Sequence, residues 1–218
     1  MTERLRVIYS EIPACESFAD VGCDHGYISE AMLCGGKCKK AFFSDVSEKC
    51  LDKAKKLLEE YVAEGAAEGI LCDGLSEVPE TECALIAGMG GEEIIKILKN
   101  APFLPEKLVL QPMKNVEKLR TFLVKFGYKI VKDYVFFAEN RFYDLIKAER
   151  GKDVLTEEER EFGRTNLSAK QGAFTAKLKE EAKRKRTFAE GEGVSDNQKR
   201  KFLEEAERLE KYAENERY

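Results

Sequence analysis

Five short apolar segments, each closed by glycine, aspartate or proline, recur along the first 150 residues of this chain, with stretches of helical spacing between them. Residues 17–22 (SFADVG) predict a first strand and 27–33 a following helix. Residues 41–46 (AFFSDV) predict a second strand, after which Ser47 can cap a helix carrying Leu51, Ala54, Leu57, Leu58 and Tyr61 at helical spacing. A third strand is expected over 69–73. A fourth is expected over 83–87, with a helix through Ile94, Ile95 and Leu98. Residues 107–111 predict a fifth strand, stopped by Pro112. Val116, Leu119, Phe122 and Leu123 then mark a helix closed by Gly127. Two last strands, 129–138 and 142–148, stand so close that they predict an antiparallel hairpin.

Strands alternating with helices imply an α/β fold, with a mainly parallel sheet covered on both faces and an antiparallel edge strand supplied by the hairpin. Such a sheet binds its ligands beyond the carboxyl ends of the strands, near the switch in strand order. With 43% hydrophobic residues the chain can bury a real core. Beyond residue 150 the texture changes: positions 151–218 hold 16 Lys+Arg against 16 Asp+Glu. Leu167, Phe174, Leu178 and Ala182 suggest one amphipathic helix, and Phe202, Ala206, Leu209 and Ala213 a second. Residues 191–194 turn between them, and Ser195 is a candidate cap. The expected organisation is an α/β domain over 1–151 and a helical hairpin or coiled coil over 152–218.

The chemistry lies at the strand ends. The first strand runs into Asp20-Val-Gly22-Cys-Asp24-His25-Gly26, a glycine turn rich in carboxylates. A pyrophosphate wants backbone N–H groups without nearby negative charge. This turn therefore disfavours a nicotinamide dehydrogenase, whose fingerprint is G-x-G-x-x-G. An acidic loop suits a cationic ligand such as S-adenosylmethionine, with its sulfonium and ammonium groups. Asp20 or a neighbour can take the ammonium; alternatively, the segment is a plain turn with Asp24 capping a helix. Asp45 ends the second strand, where a carboxylate can accept ribose hydroxyls. Asp73 and Gly74 end the third, where a carboxylate can meet an adenine amino group. Ala87-Gly88-Met89-Gly90-Gly91 ends the fourth, and its glycines allow close backbone approach.

These motifs (D-V-G-C-D-H-G-Y, S-D-V, D-G-L, A-G-M-G-G and L-Q-P-M, in that order) resemble the bacterial tRNA (adenine22-N1)-methyltransferase family of the TrmK type. Arg4-Leu5, Leu119-Arg120 with Phe122-Leu123, Tyr143-Asp-Leu-Ile146 and Phe162-Gly163 add to the likeness. It covers residues 4–150 and extends to the tail. Cys72 departs from it where glycine is usual, and Arg164 where proline often follows Phe-Gly.

The resemblance implies a Rossmann-like class I methyltransferase with a seven-stranded sheet and S-adenosylmethionine as cofactor. After the first strand it implies cofactor contacts at Asp20, Gly22, His25 and Gly26, and after the second at Asp45 and Val46. Asp73, Gly74 and Leu75 follow from the third strand, and Ala87, Gly88, Met89 and Gly90 from the fourth. Gly91, Gln111, Pro112, Met113 and Lys114 fall to the substrate side. Asp24 is the catalytic candidate, as a carboxylate beside an adenine ring that gains positive charge during methylation. His25, the only histidine, is a candidate to stack on the adenine or to hydrogen-bond Asp24.

The net charge of −4 argues against nucleic acid as a partner, unless local basic clusters offset it. Candidates are Lys37, Lys39 and Lys40; Lys114 and Lys118; and, on the tail, residues 183–186 and 199–201. Competing readings are a methyltransferase of a small molecule or protein, or a domain that binds cofactor or RNA without catalysis. No apolar run approaches the ~20 residues of a membrane span. No secretory signal pattern opens the chain, and seven cysteines read as reduced thiols of a cytoplasmic protein. Cys34 and Cys38 have the spacing of half a metal site, but no second pair accompanies them, so no metal is expected. A monomer is expected.

Overall fold

The computed structural model describes residues 1–169, 172–191 and 193–214. Glu192 of the expected tail turn and residues 215–218 of the expected extension lie outside the described residues. The elements run α1 (Glu3–Glu11), β1 (Ser17–Val21), α2 (Tyr27–Cys34), β2 (Lys40–Asp45), α3 (Glu48–Leu57), α4 (Glu59–Ala63) and β3 (Ala67–Leu71). They continue with β4 (Cys83–Met89), α5 (Gly91–Asn100), β5 (Lys107–Pro112), α6 (Val116–Lys125), β6 (Tyr128–Ala138) and β7 (Arg141–Arg150). The tail adds α7 (Glu157–Phe162), α8 (Arg164–Ala169), α9 (Gly172–Ala189) and α10 (Asp196–Glu214).

The seven strands form one sheet in the order β3-β2-β1-β4-β5-β7-β6. β1 to β5 pair in parallel, whereas β7 runs antiparallel to both β5 and β6. The antiparallel strand of the expected hairpin thus sits one place in from the rim, and β6 forms the edge. β1 lies between β2 and β4, which sets the switch in strand order at the carboxyl end of β1.

Successive strand residues face opposite sides, and the two faces bury different helices. Ala19, Ile86 and Leu108 meet α5 and α6 through Ile94, Leu98, Leu119 and Leu123. Phe18, Leu85 and Val109 meet α1 and α2 through Ile8, Ile12, Ile28 and Met32. Phe43 is fully buried against Leu51, Ala54 and Leu58. Each such side chain contributes about 1.5–3 kcal/mol through burial.

Helix α1 has no counterpart among the elements expected from the sequence pattern. Thr2 caps it by accepting from Leu5 N–H at 3.3 Å. The expected third strand is shifted: β3 ends at Leu71, leaving Asp73 two residues beyond it. β3 is the far edge of the sheet and ends in register with Asp45. The expected single helix through Tyr61 breaks at Leu58 into α3 and α4. β4 extends through Met89, so its first glycine lies within the strand rather than after it.

The tail has two short helices before its hairpin. Thr156 and Glu159 form a capping box at the start of α7. Phe174, Leu178 and Ala182 of α9 pack on Ala206 and Leu209 of α10, and Phe162 and Val135 join them, so the hairpin leans on β6. Ser195 caps α10 by accepting from Gln198 N–H at 3.4 Å. The outward N–H groups of edge strand β6 are taken by side chains of this segment. Ile130 donates to Asp153 Oδ2 at 3.0 Å, Asp133 to Thr165 Oγ1 at 3.0 Å, and Val135 to Asn166 Oδ1 at 2.9 Å. The tail therefore closes an edge that would otherwise invite another strand. Arg164 ties the same linker together through Asp153 at 3.1 Å and Glu159 at 2.9 Å. No helix among the described residues is long and apolar enough to cross a membrane.

Candidate functional site

The turn after β1 is folded over the end of β2. Gly22 and Cys23 both donate their N–H to the Ser44 carbonyl, at 2.8 and 3.0 Å. Asp24 follows in the left-handed region, at φ 50°, and donates its N–H to Asp45 Oδ2 at 3.2 Å. The other Asp45 oxygen accepts from Ser47 N–H at 2.8 Å. Asp45 is thus oriented by two backbone donors, with lone pairs left for a ligand. Asp24 does not cap α2; Gly26 stands at that position. The Asp24 side chain is 68% exposed and its Oδ1 lies 3.0 Å from His25 Nδ1. His25 stacks on Tyr27 with 5.5 Å between ring centres, and its Nε2 is 3.3 Å from Lys53 Nζ.

Asp20 points inward from the same strand end. It is buried and accepts from Ser29 Oγ at 2.9 Å. Burial pushes its carboxyl up to about 7, and the charge on Asp45 adds to the rise. Asp20, Gly22, Asp24, His25, Ala87 and Gly88 line one cavity of about 470 Å³ at the switch in strand order. A carboxyl buried in this way is eased by a cation, and an anionic pyrophosphate would meet Asp20 and Asp24 here.

Register slips at Gly88, where β4 bulges between Ala87 and Met89. Gly88 has φ +79°, and a Cβ there would stand 3.0 Å from Arg4 Nη2. The glycine thus answers both a backbone requirement and the approach of a guanidinium. Met89 and Gly90 are half-buried just beyond the bulge.

Other sequence candidates lie elsewhere. Val46 is exposed, and Asp73 is exposed with Lys96 Nζ at 3.5 Å. Leu75 is a core residue, and the Gly74 carbonyl accepts from Ser44 Oγ at 2.8 Å. Gly26 is buried against α3. On the expected substrate side, Gly91 is buried and donates its N–H to the Lys114 carbonyl at 2.8 Å. Gln111 has no exposed surface: its Oε1 accepts from Arg4 Nε at 2.8 Å, and its Nε2 donates to the Pro112 carbonyl at 3.2 Å. Both ends of its amide are thus engaged within the protein. Pro112 is buried, while Met113 and Lys114 are exposed at a second cleft of about 470 Å³ between the β7 start and α9. A larger cleft of about 520 Å³ between α6, β6 and the tail touches none of the carboxylates at the ends of β1 and β2.

Two charged residues of the cavity were not among the site residues expected from the sequence. Arg4 reaches it from α1, and Glu139 from the β6–β7 turn. Thr2 followed by Leu5, Ile8 and Ile12 was the available signal for α1. Glu139 and Asn140 both take positive φ, 50° and 58°, which folds a two-residue hairpin turn that brings Glu139 to the cavity wall.

The basic clusters divide. Lys37 donates to the Tyr9 and Ile12 carbonyls at 2.9 Å, and Lys40 begins β2. That cluster therefore stands at the opposite end of the sheet from the cavity. Lys185 pairs with Glu205, and Arg186 with Glu210 at 2.7 Å. Lys183 and Arg184 are exposed and hold no ion pair among the described residues, and Arg184 lines the second cleft.

A family model described as a methyltransferase domain matches residues 1–146. The tRNA (adenine(22)-N(1))-methyltransferase of Bacillus subtilis is 27% identical over 156 residues, which is 69% of this chain and 66% of that relative. The structure of M. capricolum TrmK in complex with S-adenosylhomocysteine superposes with a TM-score of 0.86 at 24% identity, covering 98% of this chain and 97% of that one. The B. subtilis m1A22 tRNA methyltransferase TrmK gives 0.80 at 23% identity, covering 98% and 97%.

Proposed function

This chain belongs to the methyltransferase-domain family, and on that premise we propose that it transfers the methyl group of S-adenosylmethionine to N1 of an adenine in tRNA, position 22 by its likeness to its relatives. The observation that carries the reading is the pair Asp20 and Asp24 lining one cavity at the strand-order switch, with Asp45 beside it at the end of β2, hydrogen-bonded to the Asp24 N–H. The donor set suits this cofactor. Asp20 faces a site for an ammonium group, and Asp45 has free lone pairs for ribose hydroxyls. When bound, the cofactor supplies an electrophilic methyl group on sulfur.

The chain's own residues supply position and charge. N1 of adenine carries an in-plane lone pair and needs no strong base. Asp24, exposed at the mouth and steadied by His25, stabilises positive charge on the ring or accepts a proton from the exocyclic nitrogen. Most of the rate then comes from holding N1 in line with the methyl group. Tyr27, 42% exposed and stacked with His25, offers an aromatic surface for an extruded base. Met113, Lys114 and Arg184 at the second cleft, with exposed Lys183 beside Arg184, serve as contacts for the RNA. A catalytic domain over 1–151, a helical extension over 152–218, and a monomer acting in the cytoplasm complete the reading.

The test is incubation with labelled S-adenosylmethionine and unmodified tRNA, followed by nucleoside analysis. The expected product is 1-methyladenosine. Asp24→Ala should slow its formation by about 10²- to 10⁴-fold while leaving S-adenosylhomocysteine affinity intact. Label in no tRNA nucleoside would replace the substrate reading. Full turnover by Asp24→Ala would remove Asp24 from its role.

A further inference from the structure

Arg4 is a guanidinium held ready for an anion. It is half-buried in the wall of the 470 Å³ cavity, and among the residues lining that cavity it is the one permanent cation. Its Nε donates to Gln111 Oε1 at 2.8 Å, and Gln111 is itself fixed by complete burial and by the Pro112 carbonyl. The guanidinium lies over the Tyr143 ring at 5.5 Å from its centre and against the space that Gly88 leaves by lacking a Cβ. Glu139, the acid nearest in the turn, accepts from the Arg4 backbone N–H at 3.5 Å rather than from the guanidinium. Among the described residues the two terminal nitrogens hold no hydrogen bond and no ion pair. An arginine so oriented, with its fork open toward a cavity, matches a planar oxyanion.

The same cavity holds Asp20, a buried carboxyl suited to an ammonium group. A wall with one oriented cation and one buried acid fits a zwitterion. We propose that Arg4, positioned by Gln111, binds the α-carboxylate of the cofactor's methionine moiety, so that Arg4 and Asp20 together clamp its amino-acid end. The proposal rests on the S-adenosylmethionine reading and adds to it a residue of α1. It also gives the buried amide of Gln111 a role, which is to hold the guanidinium in its binding orientation. Gly88 then serves the cofactor indirectly, through the room it leaves for Arg4.

The experiment compares two ligands by titration calorimetry on the purified protein. S-adenosylhomocysteine carries the amino-acid end; 5′-methylthioadenosine shares its adenosine and thioether but lacks that end. Arg4→Met should weaken S-adenosylhomocysteine binding by about 10- to 100-fold, as expected for a lost charge-assisted hydrogen bond, and leave 5′-methylthioadenosine unchanged. Arg4→Lys should recover part of the loss, because it restores the charge without the fork. Gln111→Leu should weaken S-adenosylhomocysteine selectively but by less than Arg4→Met, and 5′-methylthioadenosine affinity reports that the variant is folded. Equal weakening of both ligands, or of neither, overturns the clamp. Unchanged S-adenosylhomocysteine affinity with weakened tRNA binding also overturns it, by giving Arg4 an RNA phosphate. If the unaltered protein binds neither ligand, the cofactor reading itself fails.

Discussion

Asp133→Ala probes how the tail is fastened to the sheet. Arg120 and Asp133 are both buried, and Arg120 Nε donates to Asp133 Oδ2 at 2.9 Å. The guanidinium also donates to the Arg160 and Glu161 carbonyls, at 3.1 and 2.9 Å, where α7 ends. Asp133 Oδ1 accepts from Thr165 N–H at 2.9 Å at the start of α8. One ion pair therefore ties α6, β6, α7 and α8 together. Removing the carboxylate leaves the buried guanidinium with the longer Asp144 Oδ1 contact, at 3.7 Å, as its remaining counter-charge, and a backbone N–H without its acceptor. Breaking a buried pair from one side costs about 3–5 kcal/mol. For a chain of this size each kcal/mol moves the melting temperature by roughly 2–4 °C. The expected drop is roughly 6–20 °C by differential scanning calorimetry, with a matching loss in urea unfolding. Replacing both partners, as Arg120→Met with Asp133→Leu, removes the stranded charge and should recover much of that loss. Since α9 and α10 hang from this junction, Asp133→Ala should also weaken tRNA affinity more than S-adenosylhomocysteine affinity. A loss under about 1 kcal/mol, the range of an exposed pair, would refute the reasoning.

Three further outcomes follow from the structure. Burial raises the Asp20 carboxyl from an ordinary 3.8 to about 7, so the folded chain holds this proton more tightly than the unfolded one. Its contribution is favourable at low pH and is lost as pH climbs from about 4 to 7, a swing of about 4 kcal/mol that Asp20→Asn should abolish in pH-dependent unfolding. An ammonium bound beside Asp20 lowers that value. Binding of S-adenosylhomocysteine at about pH 6.5 should therefore release a proton, seen as calorimetric heats that depend on the buffer; equal heats in all buffers would contradict this. On the tail, Lys183→Glu with Arg184→Glu should lower tRNA affinity and flatten its salt dependence while S-adenosylhomocysteine binding holds. Lys185 and Arg186 are left intact because their reversal would break the α9–α10 pairs. Unchanged tRNA affinity would take the tail out of RNA binding.

The parts of this molecule that are legible in the sequence are those governed by local periodicity. The apolar alternation of β1, β2, β4 and β5 and the acids at their ends are visible there, because a buried parallel strand must be apolar and the residue after it must turn. β3 lies two residues away from where its pattern places it, since an edge strand with Leu71 in solvent carries a weak signal. α1 is short and precedes the first strand, so it does not stand out as a helix, yet it brings Arg4 to the cavity. Long-range pairings leave no local trace at all. Nothing in the neighbourhood of Gln111 announces that its amide is committed to Arg4, 107 positions away. Nor does the run from Asp153 to Asn166 announce that its side chains close the edge of β6. That closure gives the charged tail a structural reason besides RNA contact. A sheet ending in β6 needs its outer N–H groups covered, and the segment that covers them is the one that launches α9 and α10. The same residues thus protect the fold's edge and fix where α9 starts, with its Arg184 at the second cleft.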